Sequence, residues 1–307
     1  MTVSRRTVLK TLAVAGAAGA AASAAVPAEA SSGGPLRPAP DALGLLYDST
    51  LCIGCQTCTV ACQRANGLGE SRVEINGAPF NFPSDLNASN KTVIKAFRGE
   101  GDRWAFMKMQ CMQCLEPACT KACMLGSLQK RENGIVTWEA IRCTGCRYCQ
   151  VSCAFNVPKF EWLSATPRIV KCELCRQRVD GKKGSACAEV CPRGAVIQGK
   201  TTELLAAAKA RIAADPRRYE PKVYGETDGG GTQTLYLSAA GIPFEKLGLP
   251  RLTDVPPEDL AMSVQHTIYK GFIAPIALYV AAAYTILKNL RKPGHGGAAK
   301  GEKKEGN

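Results

Sequence analysis

Aromatic residues are scarce in this chain, 6% of 307 positions. Its length suits one large domain or two ordinary ones. Nothing in it reads as a nucleotide-cradling loop, a pterin pocket or a nickel ligand set, so no substrate-activating site is recognisable. Acidic residues are outnumbered, 26 against 39 basic ones, for a formal charge of +13. Taken alone, that excess would suggest a nucleic-acid or membrane-surface binder. What the chain has in quantity is cysteine, 16 in all. Spacing has to decide between a disulfide scaffold and a metal protein.

Cys143-Thr-Gly-Cys146-Arg-Tyr-Cys149-Gln-Val-Ser-Cys153 sets three thiols two residues apart and a fourth three residues further on. Three thiols this close can grip three irons of one cubane, and the fourth points at another cluster, as in two-cluster ferredoxins. A run of this kind needs a partner run. Cys52-Ile-Gly-Cys55-Gln-Thr-Cys58-Thr-Val-Ala-Cys62 repeats it 91 residues earlier, keeping the glycine (Gly54, Gly145) and the valine (Val60, Val151). The glycine allows a tight turn and a close approach of backbone amides to sulfur. Cys111, Cys114, Cys119 and Cys123 form a further run, with two extra residues before its third thiol. The last is Cys172, Cys175, Cys187 and Cys191, with an eleven-residue loop inside it and a Cys191-Pro192 ending. That ending is the ferredoxin form.

Zinc sites use separated Cys-x-x-Cys pairs and have no role for a third thiol two residues on. Disulfides between thiols three positions apart are strained. Spacing therefore points to four-thiolate iron–sulfur sites. It leaves the pairing open, since runs one and two could partner as readily as runs one and four. With 16 thiolates and four oxidised cubane cores of about +2 each, the charge falls to about +5. Removal of residues 1–30 leaves about +3, and residues 288–307 alone carry a net +4. The body is then close to neutral, and nucleic acid is not an expected partner.

Residues 1–30 read as a targeting segment. Arg5-Arg6 precede a weakly apolar Ala/Gly/Val run to Val26, and Ala28-Glu29-Ala30 offers a cleavage site. These features resemble a twin-arginine export signal, a route for proteins already folded around their cofactors. Residues 31–42 form a flexible lead-in. Leu43 to Asp48 is a strand candidate, and hairpins are expected around Gly99-Glu-Gly101 and Glu132-Asn133-Gly134. A helix is expected from Thr202 to Ala214, stopped by Asp215-Pro216, and a short strand from Leu235 to Ser238. Glu258 to Lys270 suggests an amphipathic lead-in to Gly271–Leu287, 17 residues without a charge between Lys270 and Lys288. At 1.5 Å per residue this is about 26 Å, enough to span with lysines snorkelling at each end, and Pro275 should kink it without breaking it. The basic tail 289–307 then belongs on the cytoplasmic side, with the body outside.

Four such runs in this order, with the long loop in the fourth, resemble the four-cluster electron-transfer subunits of bacterial respiratory oxidoreductases. The twin-arginine segment, the terminal helix, Cys153-Ala-Phe-Asn-Val-Pro-Lys and the His266-Thr-Ile-Tyr-Lys-Gly271 lead-in are most similar to HybA-type subunits of periplasmic membrane-bound nickel–iron hydrogenases. The resemblance implies an α+β fold with two ferredoxin-like [4Fe–4S] modules, 43–110 with 165–200 and 111–164, interleaved within 43–200. Residues 201–257 follow as extension and linker, and 258–288 as lead-in and single transmembrane helix. It implies nested pairing: Cys52, Cys55, Cys58 with Cys191; Cys172, Cys175, Cys187 with Cys62; Cys111, Cys114, Cys119 with Cys153; Cys143, Cys146, Cys149 with Cys123. Four [4Fe–4S] clusters and no catalytic residues are expected. The partners would be hydrogenase small and large subunits and a quinone-reactive integral membrane subunit, with the quinone pool reached indirectly, on the periplasmic face of the membrane. The same relay for a molybdenum enzyme such as formate dehydrogenase is the alternative. A zinc- or disulfide-stapled exported scaffold is one of a different class. Lys121, Arg142, Arg147, Lys171 and Arg176 crowd the runs, either to raise cluster potentials or as a solvated face.

Overall fold

Leu43-Gly-Leu-Leu-Tyr-Asp48 is apolar on both alternating faces, the pattern of a strand covered on two sides. The computed structural model describes residues 36–68, 85–98, 104–164 and 166–290. Its elements run β1 (Leu43–Asp48), α1 (Thr57–Asn66), β2 (Thr92–Arg98), β3 (Trp104–Gln110), α2 (Ala118–Lys121), β4 (Leu128–Lys130) and β5 (Val136–Trp138). Then follow α3 (Tyr148–Val151), β6 (Lys159–Phe160), β7 (Ile169–Val170), α4 (Arg176–Asp180), α5 (Ala186–Glu189), β8 (Val196–Lys200), α6 (Thr201–Ala214), β9 (Thr234–Leu237) and α7 (Glu258–Leu290). Among the described residues, 3-10 turns lie at Ala140–Arg142, Asp228–Gly230 and Phe244–Leu247. The twin-arginine segment and the basic tail from Arg291 lie outside the described residues, as does the expected Gly99–Gly101 turn.

β1 is the middle strand of a three-stranded sheet, antiparallel to β8 and parallel to β9. Its two faces serve two cores, as the period of two requires. Leu45 and Tyr47 turn to the core that contains Cys58, Cys111, Cys172 and Cys187. Leu46 packs with Leu204, Ala208, Leu235 and Leu237, where burial of each leucine is worth roughly 1.5–3 kcal/mol. Gly44 lets the neighbouring chain approach, because a side chain there would collide with the Gln233 carbonyl and the Thr201 hydroxyl. At the end of β1 the fully buried Asp48 accepts from Arg211 Nη1 and Tyr219 Oη, each at 3.0 Å, and from the Thr50 N–H at 3.0 Å.

The stretch 201–257 supplies α6 and β9 to this layer. Its chain next to β9 also braces the second cysteine run. The N–H groups of Gln233 and Thr234 donate to the carbonyls of Gln113 and Met112, both at 3.1 Å. Thr234 Oγ1 donates to the Cys111 carbonyl at 3.2 Å.

The strands of both expected hairpins pair: β2 with β3, Thr92 opposite Gln110, and β4 with β5, with Gly134 at φ 80° in the turn of the second. The remaining two-stranded sheet is β6 with β7. Among the described residues α7 is the one helix long and apolar enough to cross a membrane by length and composition. It runs unbroken through Pro275, and Ile273, Ile276, Tyr279, Val280 and Tyr284 along it are exposed.

Candidate iron–sulfur cluster sites

Each cysteine run bends in the same place. The second residue after the first cysteine is left-handed in all four: Gly54 (φ 72°), Gln113 (φ 52°), Gly145 (φ 73°) and Leu174 (φ 49°). Alternating handedness of this kind aims successive N–H groups into one concavity, a device common around phosphate and iron–sulfur groups. The N–H of Gly54 donates to Cys52 Sγ at 3.5 Å, and that of Leu174 to Cys172 Sγ at 3.4 Å. Two of these residues are not glycine, at a cost of about 1–2 kcal/mol each. Gln113 is held there by its side chain, which donates to the Cys172 carbonyl and accepts from the Val136 N–H, both at 2.8 Å. The last cysteines receive amides too, Cys123 from Ser127 and Cys191 from Ala195, each at 3.2 Å.

All sixteen cysteines are free thiols. They sort by electrostatic proximity into four groups of four. The first holds Cys52, Cys55, Cys58 and Cys191. Cys62, Cys172, Cys175 and Cys187 form the second. The third is Cys111, Cys114, Cys119 and Cys153, and the fourth is Cys149 with Cys146, Cys123 and Cys143. Adjacent groups sense one another in sequence: Cys187 with Cys58, Cys111 with Cys172, and Cys119 with Cys149. Each group is thus within electrostatic reach of the next, first to fourth. A cavity at the first group is lined by its four cysteines together with Tyr47 and Ile94.

Among the described residues, no three His, Cys, Asp or Glu side chains converge closely enough to hold a single metal ion. Thiolates around one zinc lie at about 2.3 Å from it and so crowd together. Burial pushes the thiols up, Cys111 to about 11 and Cys149 and Cys187 to about 12, with neighbouring thiolates adding to the effect. Such thiols surrender their protons when a cationic core takes their place. The donor set, the inward amides and the spacing thus fit iron–sulfur clusters.

Lys108 was invisible to sequence reasoning. It is fully buried on β3, and burial pushes its ammonium down while the charges of Cys187, Cys58, Cys172 and Cys62 push it up further, for a net rise. Lys171, which the sequence did single out, is also buried, and it feels Cys111, Glu173, Cys119 and Cys172. Of the other basic residues around the runs, Lys121 and Arg142 are exposed and Arg147 and Arg176 half-buried. Lys121 pairs with Glu116 at 3.6 Å and Arg176 with Glu139 at 2.8 Å, and Arg147 lies 4.0 Å over the Trp162 ring.

A mixed α/β body with these cysteine runs defines an iron–sulfur protein of the 4Fe–4S ferredoxin-like class, and residues 102–201 match the family model of the 4Fe-4S dicluster domain. Over 294 aligned residues the chain is 37% identical to the hydrogenase-2 operon protein HybA of Escherichia coli O157:H7, covering 85% of this chain and 88% of that protein. It is 33% identical over 238 residues to the nitrate-inducible formate dehydrogenase iron–sulfur subunit of Escherichia coli K12, covering 76% and 78%. A similar match, 34% over 257 residues, is to the formate dehydrogenase iron–sulfur subunit of Haemophilus influenzae, covering 79% of each. The chain belongs to the HybA-type family of 4Fe–4S iron–sulfur subunits.

Proposed function

We propose that this protein is a non-catalytic electron relay that carries electrons from a periplasmic nickel–iron hydrogenase to a quinone-reactive integral membrane subunit. The observation that carries the reading is the sorting of sixteen thiols into four groups of four, each within electrostatic reach of the next. Each group would hold one [4Fe–4S] cluster, with the first thiols of runs one, two, three and four joined by Cys191, Cys153, Cys123 and Cys62 respectively. Each cluster, when bound, supplies a site that takes up and gives back one electron.

The protein's own contribution is to fix positions and set electrostatics. Cys58, Cys62, Cys111, Cys119, Cys149, Cys172 and Cys187 are buried, so water is kept from the inner side of each site. Backbone amides at Cys52, Cys123, Cys172 and Cys191 donate to sulfur, which favours the more negative state. In this reading the body divides into interleaved modules, 43–110 with 165–200 and 111–164. The terminal helix anchors it, and residues 1–30 direct its export by the twin-arginine route to the outer face of the membrane.

A relay for a molybdenum enzyme is the second reading, favoured by the likeness to formate dehydrogenase subunits. Purification of the native complex decides between them: nickel without molybdenum is expected, and the reverse result would replace hydrogenase by a molybdenum partner. Iron analysis of the same material tests the relay itself. About sixteen irons per chain are expected from four cubanes, and fewer than about twelve would count against them.

A further inference from the structure

Phe106, Lys108 and Gln110 share one face of β3, as alternation along a strand dictates. That face turns to the first cysteine run, because a side chain at Gly54 would strike the Phe106 ring. The backbone is pinned on both sides of Lys108 by the two buried tyrosines of the central sheet. Tyr47 Oη donates to the Phe106 carbonyl and Tyr236 Oη to the Lys108 carbonyl, each at 2.7 Å. The ammonium donates to Thr92 Oγ1 at 2.7 Å and to Gln110 Oε1. Both are neutral acceptors. The ionisable groups within electrostatic reach of Lys108 are four cysteines, Cys58 from the first group and Cys62, Cys172 and Cys187 from the second, which bear charge only as thiolates.

A buried ammonium without a counter-charge is strongly disfavoured and ordinarily gives up its proton. Among the described residues no carboxylate forms an ion pair with Lys108, whereas Lys171 has Glu173 among its neighbours. The compensation for Lys108 has to come from what the two thiol groups hold. A cubane with four thiolates carries about −2 when oxidised and about −3 when reduced. We propose that Lys108 is the internal counter-cation of the first and second cluster sites, which stabilises their reduced states and matches the two sites to each other for electron exchange. The inference rests on the relay reading, in which those eight thiols hold two clusters.

Midpoint potentials followed by electron paramagnetic resonance on the full-length protein, with iron counted in each preparation, test it. Lys108→Met keeps the length of the side chain and removes the charge; Lys108→Arg keeps the charge. With Lys108→Met, two of the potentials should fall, each by at least a tenfold change in the oxidised-to-reduced ratio, about 59 mV for a one-electron couple. Those of the third and fourth sites should stay in place, and Lys108→Arg should restore the values. Lys171→Met gives the contrast, since it should move the second and third sites instead. Unmoved potentials at full iron content, or an equal shift at every site, would overturn the role of Lys108 and leave the relay standing. If Lys108→Met costs iron, loss confined to two clusters with retention in Lys108→Arg supports the counter-cation. Equal loss in both variants makes shape the requirement and overturns it. Wild-type protein without iron would instead overturn the relay reading.

Discussion

Cys52–Cys62 and Cys143–Cys153 are nearly the same sequence and nearly the same backbone. Gly54 and Gly145 have φ 72° and 73°, and Gln56 and Arg147 have φ 61° and 63°. Their surroundings differ. At the first run the Phe106 ring closes over Gly54, and the Gln56 side chain donates to the Ile94 carbonyl at 2.9 Å. The ten-residue α1 continues from it. The third run faces only Pro167 at Gly145, its helix is four residues long, and Ile141 and Val151 beside it are 93% and 80% exposed. A short motif thus sets its own bend, whereas cover, and with it local dielectric and access, comes from distant parts of the chain. The β2–β3 pair provides that cover for the first run, whereas the third has the much shorter β6–β7 pair, with Phe160, Trp162 and Pro167 on and beside it.

The strongest way to separate the two runs is through their last cysteines. Cys62 lies with Cys172 and Cys187, Cys153 with Cys111 and Cys114. Cys62→Ala should remove up to about four irons, those of the site containing Cys172, and Cys153→Ala those of the site containing Cys111. Iron counts with cluster-resolved spectra check this, and loss of the same site in both variants would contradict the nested arrangement.

A smaller effect should come from the glycines. Alanine at either position meets a left-handed backbone and collides with a ring, Phe106 at Gly54 and Pro167 at Gly145, but Phe106 packs on the main core whereas Pro167 stands in the connection between β6 and β7 and can yield more readily. Gly54→Ala is expected to cost about 3 kcal/mol or more and Gly145→Ala about 2 kcal/mol. Denaturant unfolding measures both, and equal losses would mean that cover is irrelevant. Smallest is the exchange at the matching left-handed residues. Gln56→Ala leaves the buried Ile94 carbonyl without its partner and should cost about 1–3 kcal/mol. Arg147→Ala loses its stacking on the Trp162 ring, which is itself largely exposed, and should cost about 0.5–1 kcal/mol.

The ligand-bearing half of the molecule was written locally. Cysteine spacing, the Asn133-Gly134 turn and the apolar strand Leu43–Asp48 each act through residues close in sequence, and each appears where the pattern put it. The strand expected at Leu235–Ser238 is present as Thr234–Leu237, but its position beside β1 depends on a pairing between segments nearly two hundred residues apart. Lys108 was hidden for the same reason. Its neighbours along the chain are ordinary strand residues, and only Tyr47, Tyr236 and the first and fourth runs make it a buried cation. Nor did spacing announce the left-handed backbone at Gln113 and Leu174, because tertiary partners hold it where glycine is absent.

The crossing of runs also has a meaning in time. All the cysteines of the third and fourth groups have been synthesised by residue 153, since they lie within Cys111 to Cys153. The first and second wait for the far end, because Cys62 meets Cys172 and Cys52 meets Cys191. Contacts across such distances form late, after loop closure has been overcome. A nascent chain can therefore mature from its middle outwards, and the first cysteine run is among the last to be locked.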